Sequence, residues 1–386
     1  MNKKRKLLIF YDWFYPGFKA GGPIQSLTNL AIALSSEFEI WVITSAFDLN
    51  SDAPLNDIAI NKWNTVFLPG SKVPVEVFYA LKKTLNKKKV YTLIKEISPS
   101  VIYLNGIFSY SFFLLPLFTI KKIHKSIRVV ICPRGMLKKG ALSGKSFKKK
   151  VYITYLKLSR LLNTVYWHAT THEELNDINK HFPDSKGVMA APNIPKRPSI
   201  EVASINKSSG QLRLVYLSLI NEHKNLLLLL QVIKEVKAEI ALDIYGPVVD
   251  EVYWRSCELL IKQMPEKVKY KGHVQPNEVQ LVLSQYHTLI LLTKGENFGH
   301  SIYESMSVGR PVITSTFTPW QNLYEKRAGA NANIKDLNDC VMKINLFAQM
   351  DQEEYQVYCA GAYDVAVEYY TNLNSIERYS KLFSMM

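Results

Sequence analysis

The sequence predicts an α/β protein with two doubly wound, Rossmann-like domains. The chain has 386 residues, which is long for a single hydrophobic core and favours two domains. Short apolar runs alternate with segments of helical spacing, as in proteins built on parallel sheets. The first such unit has a strand at Lys6–Tyr11, a glycine-containing loop at Phe14–Pro23, a helix at Ser26–Leu34 and a strand at Glu39–Thr44. This order describes one βαβ unit of a doubly wound sheet.

Further strands are predicted where a buried apolar run ends in a turn. They are Val101–Leu104, Arg128–Cys132, Val165–Ala169, Leu212–Leu217, Glu239–Tyr245, Val268–Lys271, Thr288–Leu292 and Pro311–Ser315. Ile200–Gln211 contains few apolar residues and is predicted to be a linker. After Trp320 the chain is expected to form small helices. His168 and His172 fall across a strand–helix boundary, so they do not share a helix face as metal ligands would, and we interpret them as structural residues or as residues that support a site residue.

The net charge of +15 is concentrated in the first half of the chain. Residues 1–200 contain 30 Lys and Arg against 12 Asp and Glu, and residues 101–150 contain 11 basic residues and no acidic one. A solvated basic face is one interpretation, and a surface that meets anionic lipid or an anionic acceptor is another. Nucleic acid is a third, although no recognised nucleic-acid-binding module occurs in the sequence.

A helix headed by Lys145–Lys150 combines lysines with Tyr152 and Tyr155. Such a helix can lie on a membrane surface, or it can be an ordinary packed helix with a basic outer face. No apolar run approaches the roughly 20 residues of a membrane span. The N-terminal run Leu7–Tyr11 is interrupted by Asp12 and predicts a strand rather than a signal peptide.

The cysteines indicate a reduced, cytoplasmic chain without a structural zinc site. They form no CxxC pair, and no His lies at metal-ligand spacing from them. The four positions are Cys132, Cys257, Cys340 and Cys359.

The stretch Thr293–Trp320 holds most of the candidate site. A polar loop follows a buried strand, and a helix should begin near Gly299 or His300 and stop at the glycine before the next proline. The first amides of such a helix lack intrahelical acceptors and attract phosphate. Glu296 lies in the loop and Glu304 one turn into the helix. Two carboxylates beside an anion site suit a phosphorylated ligand that is rich in hydroxyl groups.

Each of these residues also has a structural alternative. Ser301 and Glu304 have the spacing of a capping box, which needs no ligand. Glu296 could be a solvated loop charge. The combination of Glu-x7-Glu with Asn-Phe-Gly-His inside it and Gly-Arg-Pro-Val after it is more specific than any single residue.

This combination resembles the retaining glycosyltransferases of family 4, and within them the bacterial surface-polysaccharide branch, where ENFGH and a later TPW recur together. The resemblance spans nearly the whole chain and is strongest at 11–30, 131–150 and 293–320. It implies the GT-B fold, in which two Rossmann-like doubly wound domains face each other across a cleft that holds the active site. The domain bounds we expect are 1–195 for the acceptor side and 196–365 for nucleotide-sugar binding, with 366–386 crossing back to the first domain.

The resemblance also assigns roles to the residues of the central stretch. The first glutamate of the family motif holds hydroxyls of the donor sugar and the second holds the nucleotide ribose, which here are Glu296 and Glu304. The backbone around Phe298, Gly299 and His300 would face the phosphate and the sugar of the donor.

Five further site residues follow from the resemblance. Gly22 lies in the glycine loop that faces the donor phosphates, and Lys224 occupies the place of a lysine on the donor diphosphate. Arg134, in the matching segment PRGMLKKGALSGKSFKKK, is placed to meet an anion, with a structural salt bridge as the equal alternative. Gly246 and Val274 lie in the two turns that surround the nucleotide base. The residues predicted to be catalytic are therefore Glu296, Lys224 and Arg134, and the others are predicted to bind the donor.

Two positions depart from the family pattern. Asn105 stands where a histidine is frequent near the sugar-transfer site, and an asparagine cannot act as a general base. Leu219 stands where an arginine contacts the donor diphosphate, and loss of such a cation could lower the rate about a hundredfold or more. These departures keep a second hypothesis open, a non-catalytic GT-B protein that binds a nucleotide sugar or scaffolds a polysaccharide-synthesis complex.

The predicted reaction moves a hexose from a UDP- or GDP-linked sugar to a hydroxyl of a glycan, with retained configuration, in O-antigen, capsule or exopolysaccharide biosynthesis. The leaving phosphate can take the proton of the acceptor, so no protein base is required. No metal or other cofactor is expected, because the sequence has no Asp-x-Asp and Lys224 with the helix start can replace the metal. The implied acceptor is a polyprenyl-diphosphate-linked saccharide. The expected location is cytoplasmic, with peripheral contact to the inner face of the plasma membrane through the basic first domain as an open possibility.

Overall fold

The computed structural model describes residues 4–123, 127–138, 142, 146–199, 204–372 and 374–384. The chain divides into two compact units. Unit 1 comprises Met1–Ile194 and Leu373–Met386, and unit 2 comprises Pro195–Asn372. The first division lies one residue from the expected boundary. The return to unit 1 comes seven residues later than expected, because a long helix of unit 2 continues to Thr371.

Unit 1 is built on an eight-stranded sheet with the order β3-β4-β2-β1-β5-β6-β7-β8. All neighbouring strands are parallel except β3 and β4, which pair in antiparallel fashion. The strands are β1 Arg5–Phe10, β2 Phe38–Ser45, β3 Trp63–Phe67, β4 Pro74–Ala80, β5 Val101–Asn105, β6 Arg128–Cys132, β7 Tyr166–Ala169 and β8 Gly187–Ala190. The helices between them are α1 Gly22–Leu34, α2 Lys87–Ile97, α3 Leu115–Ile120, α4 Ser146–Leu158 and α5 His172–His181.

The sheet of unit 1 is buried on both faces. On β1, Leu7 and Ile9 belong to the core that contains the apolar side of α1, whereas Leu8 and Phe10 belong to the core that contains those of α2 and α3. Successive side chains of a strand point to opposite faces. A central strand therefore needs a continuous apolar run, which is the pattern that predicts it from sequence.

Unit 2 is built on a six-stranded parallel sheet with the order β11-β10-β9-β12-β13-β14. The strands are β9 Gln211–Leu217, β10 Glu239–Tyr245, β11 Val268–Tyr270, β12 Thr288–Leu291, β13 Val312–Ser315 and β14 Gly329–Ala332. The helices are α6 Leu226–Glu235, α7 Glu251–Ile261, α8 Val279–Ser284, α9 His300–Ser307, α10 Leu337–Gln349 and α11 Gln352–Thr371. The chain then ends in α12, Ser375–Ser384, which packs in the core of unit 1. These two sheets confirm the predicted pair of Rossmann-like folds.

One sequence expectation about unit 2 is wrong, and a second holds only in part. The small helices expected after Trp320 are instead a strand, β14, and the long helices α10 and α11. The strand has the sequence GANA, which lacks the apolar run that would predict it. The expected linker is in part a packed segment, because Lys207 is only 5% exposed and its ammonium donates to three backbone carbonyls of unit 2. Residues 200–203 of that linker lie outside the described residues.

Each sheet has one point where the strand order reverses. In unit 1, β1 lies between β2 and β5, and in unit 2, β9 lies between β10 and β12. In open α/β sheets the loops at the carboxyl ends of such strands form a crevice that binds ligands. Over the parts of the chain that the structure describes, no helix is long and apolar enough to cross a membrane.

Candidate functional site

An ion pair between Lys224 and Glu296 marks the reversal point of unit 2. The ammonium nitrogen of Lys224 contacts Oε1 of Glu296, and the two side chains are 18% and 10% exposed. Lys224 lies in the loop after β9 and Glu296 in the loop after β12, so strand order brings the two predicted residues together. Desolvation offsets much of the attraction in such a shielded pair, and its net effect on stability is therefore small.

Local capping holds Lys224 in position. The loop after β9 ends in a short 3₁₀ turn, and Oδ1 of Asn221 accepts a hydrogen bond of 3.0 Å from the amide of Lys224. Asn225 has a φ of 60°, a conformation that asparagine tolerates better than most residues. Its side-chain amide donates to the carbonyl of Leu292 at 2.9 Å. Lys224 is thus bracketed by two asparagines, one of which anchors the loop to the end of β12.

The loops after β9 and β12 are linked by further hydrogen bonds. Nε2 of His223 donates to the carbonyl of Gly295 at 2.8 Å, and the amide of Lys294 donates to the carbonyl of His223 at 2.9 Å. The amide of Glu296 donates to the carbonyl of Phe317 at 3.0 Å, which connects the same loop to the one after β13. These bonds hold the backbone of Glu296 and of the two residues before it.

Helix α9 begins directly after this loop. Gly299 is its N-terminal cap with a φ of 79°, and no side chain caps the helix. Ser301 is the second helical residue, so the capping-box alternative for Ser301 and Glu304 is wrong. The first bond of the helix runs from the amide of Tyr303 to the carbonyl of Gly299 at 3.1 Å. The helix therefore does not use the amides of its first turn. Glu304 is buried in its second turn, at 3% exposure.

An aromatic cluster supports the start of α9. The ring of Phe298 contacts those of His300, Tyr303, Trp320 and Tyr369 at centroid distances of 4.7 to 5.8 Å. Nε1 of Trp320 donates to the carbonyl of Phe298 at 2.5 Å. The side chain and carbonyl of Phe298 thus have structural partners. Trp320, the last residue of the TPW motif, anchors the loop through its bond to the Phe298 carbonyl.

The two turns predicted to surround the nucleotide base lie side by side. The amide of Gly246 donates to the carbonyl of Gly272 at 2.7 Å. Gly246 has a φ of 151°, and a Cβ there would lie 1.8 Å from the carbonyl oxygen of Ser218. Glycine is therefore required at 246 by the close approach of the β9 and β10 ends. Val274, two residues beyond Gly272, is half-buried against the core of unit 2.

In unit 1, Gly22 is the first residue of α1. Gly21 precedes it as the cap with a φ of 70°, a conformation that favours glycine. The loop before it is tied down by Asp48, whose carboxylate accepts from the amides of Phe18 and Lys19 at 2.8 and 3.0 Å. The structure thus places Gly22 at a helix start at the reversal point of the first sheet, and its contact with a donor stays a prediction.

Arg134 is held by uncharged acceptors at the carboxyl ends of the strands of unit 1. Its Nε donates to Oδ1 of Asn105 at 3.0 Å, one terminal nitrogen donates to Oδ1 of Asn193 at 2.8 Å, and the other donates to the Tyr103 hydroxyl at 3.3 Å. A salt bridge, the structural alternative, is not found for Arg134 among the described residues. Asn105, which departs from the family pattern, is therefore a ligand of the guanidinium group.

His168 continues this network into the core. The Tyr103 hydroxyl bonds to its Nδ1 at 2.6 Å, and its Nε2 bonds to the carbonyl of Ala191 at 2.7 Å. Because a carbonyl only accepts, Nε2 carries the proton, and Tyr103 donates to Nδ1. Burial and the charge of Arg134 lower the pKa of His168 to about 3, so the imidazole is neutral. His168 is thus a buried, neutral residue that supports Tyr103, which is one of the acceptors of Arg134. Lys139–Ala141 and Ser143–Lys145 of the basic segment after Arg134 lie outside the described residues.

Sequence reasoning missed several residues that build the site. Asn221, His223 and Asn225 position Lys224 and its loop. The two asparagines could have been identified from sequence, because asparagine is a preferred N-cap residue and both precede an apolar helix. Lys294 is a second cation on the loop after β12, where it forms an ion pair of 2.7 Å with Glu222. In the described parts of the chain, no cluster of three or more His, Cys, Asp or Glu could hold a metal ion.

Part of the sequence matches a known protein family, and the fold is similar to solved structures. Residues 199–344 match the family model described as glycosyl transferases group 1. No curated protein matches the sequence significantly. Among solved structures, sucrose-phosphate synthase from Thermosynechococcus elongatus is 15% identical, with 100% of both chains covered and a TM-score of 0.73. HepE of Anabaena, in complex with UDP and glucose, is 13% identical, with 99% of this chain and 100% of that chain covered and a TM-score of 0.71.

The lipopolysaccharide outer core galactosyltransferase WaaB, in its apo form, is 16% identical, with 99% of this chain and 100% of that chain covered and a TM-score of 0.60. At such identities the structural similarity shows the fold alone. The family match contains Lys224, Glu296, Gly299 and Glu304. The chain therefore has the GT-B fold, and its residues 199–344 match the model of the group 1 glycosyl transferases.

Proposed function

We propose that the protein is a retaining glycosyltransferase of the family 4 type that transfers a hexose from a nucleotide diphosphate sugar to a glycan. The observation that carries this proposal is the shielded Lys224–Glu296 pair at the reversal point of the unit 2 sheet. Glu296 lies in the loop that leads into the glycine-capped start of α9, and both residues of the pair lie within the region that matches the glycosyltransferase family. A cation, first-turn helix amides and two carboxylates on one sheet edge suit a ligand that carries both phosphate and hydroxyl groups.

In this proposal Lys224 and Glu296 separate when the donor binds, and each contacts a different part of it. The ammonium group of Lys224 and the first-turn amides of α9 bind the diphosphate, since both favour negative charge. Glu296 gives up its bond to Lys224, and its carboxylate instead accepts hydrogen bonds from hydroxyl groups of the sugar. Glu304 binds the ribose, and the turns at Gly246 and Val274 lie beside the base. Such a donor is UDP- or GDP-linked.

The reaction breaks the bond between the anomeric carbon and the diphosphate oxygen. The acceptor hydroxyl oxygen forms its bond to the same face of that carbon, and its proton passes to an oxygen of the leaving diphosphate. No protein base is then needed. Lys224 and the α9 amides stabilise the charge that develops on the leaving group, which is the largest contribution a preorganised site makes. Neither a metal nor a further cofactor takes part in this scheme.

Lys294 is a candidate to compensate for Leu219 within unit 2, and Arg134 is a separate proposed anion ligand in unit 1. Lys294 is displayed on the same loop as Glu296 and is held at present by Glu222. Arg134 uses three of its five N–H groups for Asn105, Asn193 and Tyr103, which leaves two for a phosphate oxygen. We keep Arg134 as a proposed catalytic residue on this ground.

The acceptor in this proposal is a polyprenyl-diphosphate-linked saccharide of a surface-polysaccharide pathway, such as O-antigen or capsule synthesis. The basic excess of residues 101–150 supports an anionic acceptor. A cytoplasmic enzyme working beside the inner face of the plasma membrane is the corresponding location. Nucleic acid is not part of the proposal.

The first test is a thermal-shift screen against UDP, GDP, ADP and their hexose conjugates without metal. A ligand at 100 times its Kd stabilises the native state by about 2.7 kcal/mol. We expect a rise in Tm with one nucleotide family and its loss in Glu304→Ala. The matched control is the surface pair Lys262–Glu258 at the C-terminal end of α7, because Lys262→Ala should leave the shift unchanged.

Transfer is then measured with the donor that binds, against polyprenyl-diphosphate-linked acceptors. Lys224→Ala and Glu296→Gln should each lower the rate about a hundredfold or more, whereas Lys262→Ala should not. Donor binding without hydrolysis or transfer to any acceptor would favour the non-catalytic GT-B protein that Asn105 and Leu219 suggest. The absence of a shift with every nucleotide at millimolar concentration would reject the donor site itself.

A further inference from the structure

Helix α4 in unit 1 presents an apolar stripe to solvent. Phe147 is 78% exposed, Val151 53%, Tyr155 48% and Leu158 78%. At 100° of rotation per residue, these four positions fall within an arc of about 80° on one side of the helix. Single exposed apolar residues are ordinary on a protein surface. Four of them aligned over the length of one helix form a continuous face that needs an explanation.

The opposite side of α4 packs onto unit 1. Ile153 and Leu156 are buried in its core. The Tyr152 hydroxyl donates to the carbonyl of Ile107, and the Lys149 ammonium lies 5.4 Å from the centroid of the Phe108 ring. The packed side and the exposed stripe are thus separate faces of one helix. Packing of α4 onto the unit therefore does not account for the stripe, and its helical spacing is not a core pattern.

Lysines border the exposed stripe on both sides. By the same helical rotation, Lys148 lies on one flank, and Lys150 and Lys157 lie on the other. Among the described residues, none of these three lysines has a carboxylate within ion-pair distance. The segment 101–150 contains 11 basic residues and no acidic one, and Tyr110, which follows the loop beneath α4, is itself 63% exposed. An apolar face rimmed by unpaired cations is typical of helices that lie in a membrane interface.

We propose that α4 is a membrane-binding helix whose stripe Phe147, Val151, Tyr155 and Leu158 inserts between the lipids of an anionic bilayer. The lysines on both flanks then reach the headgroup phosphates. A bilayer fits better than a protein partner, because the stripe projects outward from a convex helix face and its rim carries charge of one sign only. The inference does not depend on the proposed donor chemistry, since membrane binding can be measured without a nucleotide sugar.

The test is co-sedimentation of the full chain with vesicles of phosphatidylcholine alone or with 30 mol% phosphatidylglycerol. We expect binding to the anionic vesicles and little binding to the neutral ones at about 0.1 M salt. The double variant Phe147→Ser/Leu158→Ser should bind at least tenfold more weakly. Its matched control is Leu259→Ser/Leu281→Ser, which removes two apolar side chains of 64% and 65% exposure from unit 2 and should bind as the unchanged chain does.

A second pair of variants tests the contribution of the lysines to membrane binding separately from that of the apolar stripe. The triple variant of Lys148, Lys150 and Lys157 to Gln should lose binding at least tenfold, whereas the same change at three exposed lysines of unit 2 should not. Those control lysines are Lys234, Lys237 and Lys269. Because all the positions are exposed, Tm should stay unchanged.

The aromatic position offers a conservative check. Phe147→Trp should retain binding, since tryptophan favours the membrane interface. Failure of the unchanged chain to bind anionic vesicles would overturn the proposal, as would equal losses in the α4 variants and their controls. Concentration-dependent self-association that disappears in Phe147→Ser/Leu158→Ser, without vesicle binding, would instead assign the stripe to a protein interface and also overturn it.

Discussion

The buried imidazole of His168 predicts that unit 1 loses stability in mild acid. Burial, and then the nearby charge of Arg134, lowers its pKa to about 3 in the folded chain, whereas an unfolded histidine takes its proton near pH 6.5. Between these values the unfolded state binds more protons than the folded state. Stability from this group is therefore fully present above pH 6.5 and decreases as the pH falls towards 3.

The size of the effect follows from the two pKa values. At pH 5 the unfolded imidazole is almost fully protonated and the folded one is neutral, so the linkage relation gives a loss of about 2 kcal/mol relative to pH 8. Below both pKa values the loss would approach about 5 kcal/mol. The residue is fully buried, so solvent screening does not reduce these figures.

The perturbation is His168→Gln, which keeps a donor and an acceptor but cannot titrate. Urea unfolding is followed by tryptophan fluorescence at pH 8 and pH 5, because Trp167 is the buried neighbour of His168 on β7. We expect the free energy of unfolding of the unchanged chain to fall by about 2 kcal/mol more than that of the variant between the two pH values. Equal losses in the two proteins would refute the argument.

Three further predictions concern stability. Lys207→Met leaves three backbone carbonyls, two of them buried, without their donor and should cost roughly 2–4 kcal/mol in urea unfolding; a loss below about 0.5 kcal/mol would show that the segment is a mobile linker after all. Gly246→Ala places a Cβ 1.8 Å from a carbonyl oxygen and should cost about 3 kcal/mol or more. Gly272→Ala, with a φ of 78° but open space around the new Cβ, should cost only about 1–2 kcal/mol, and equal Tm losses would contradict the steric argument. Asn105→Leu removes the acceptor of the Arg134 Nε and should cost about 1–3 kcal/mol, whereas Asn105→Asp, which keeps an acceptor, should retain most of the stability by the same assay.

The strands show how far the local sequence predicts the fold. Arg128–Cys132 and Glu239–Tyr245 were predicted with the bounds that the structure has. The first is a nearly continuous apolar run buried on both faces, and the second alternates buried with more exposed residues. β14 could not be predicted in this way. Its small residues pack beside β13, where a Cβ at Gly329 would lie 1.9 Å from the carbonyl oxygen of Val312. The need for glycine there arises only once the two strands are paired.

The candidate site also combines features that the local sequence predicts with features that depend on tertiary structure. The placement of Glu296 in a loop, Gly299 at a helix start and Glu304 in that helix was predictable from sequence alone, because one short segment holds all three. The ion pair of Glu296 with Lys224, the bond from His223 to Gly295 and the network of Arg134 depended on tertiary structure. These contacts join residues far apart in the chain, and only the order of the strands in each sheet decides which loops become neighbours. For the same reason the exposure of the α4 stripe could not be read from its spacing, since a helix shows which of its faces is packed only after the rest of the unit has formed.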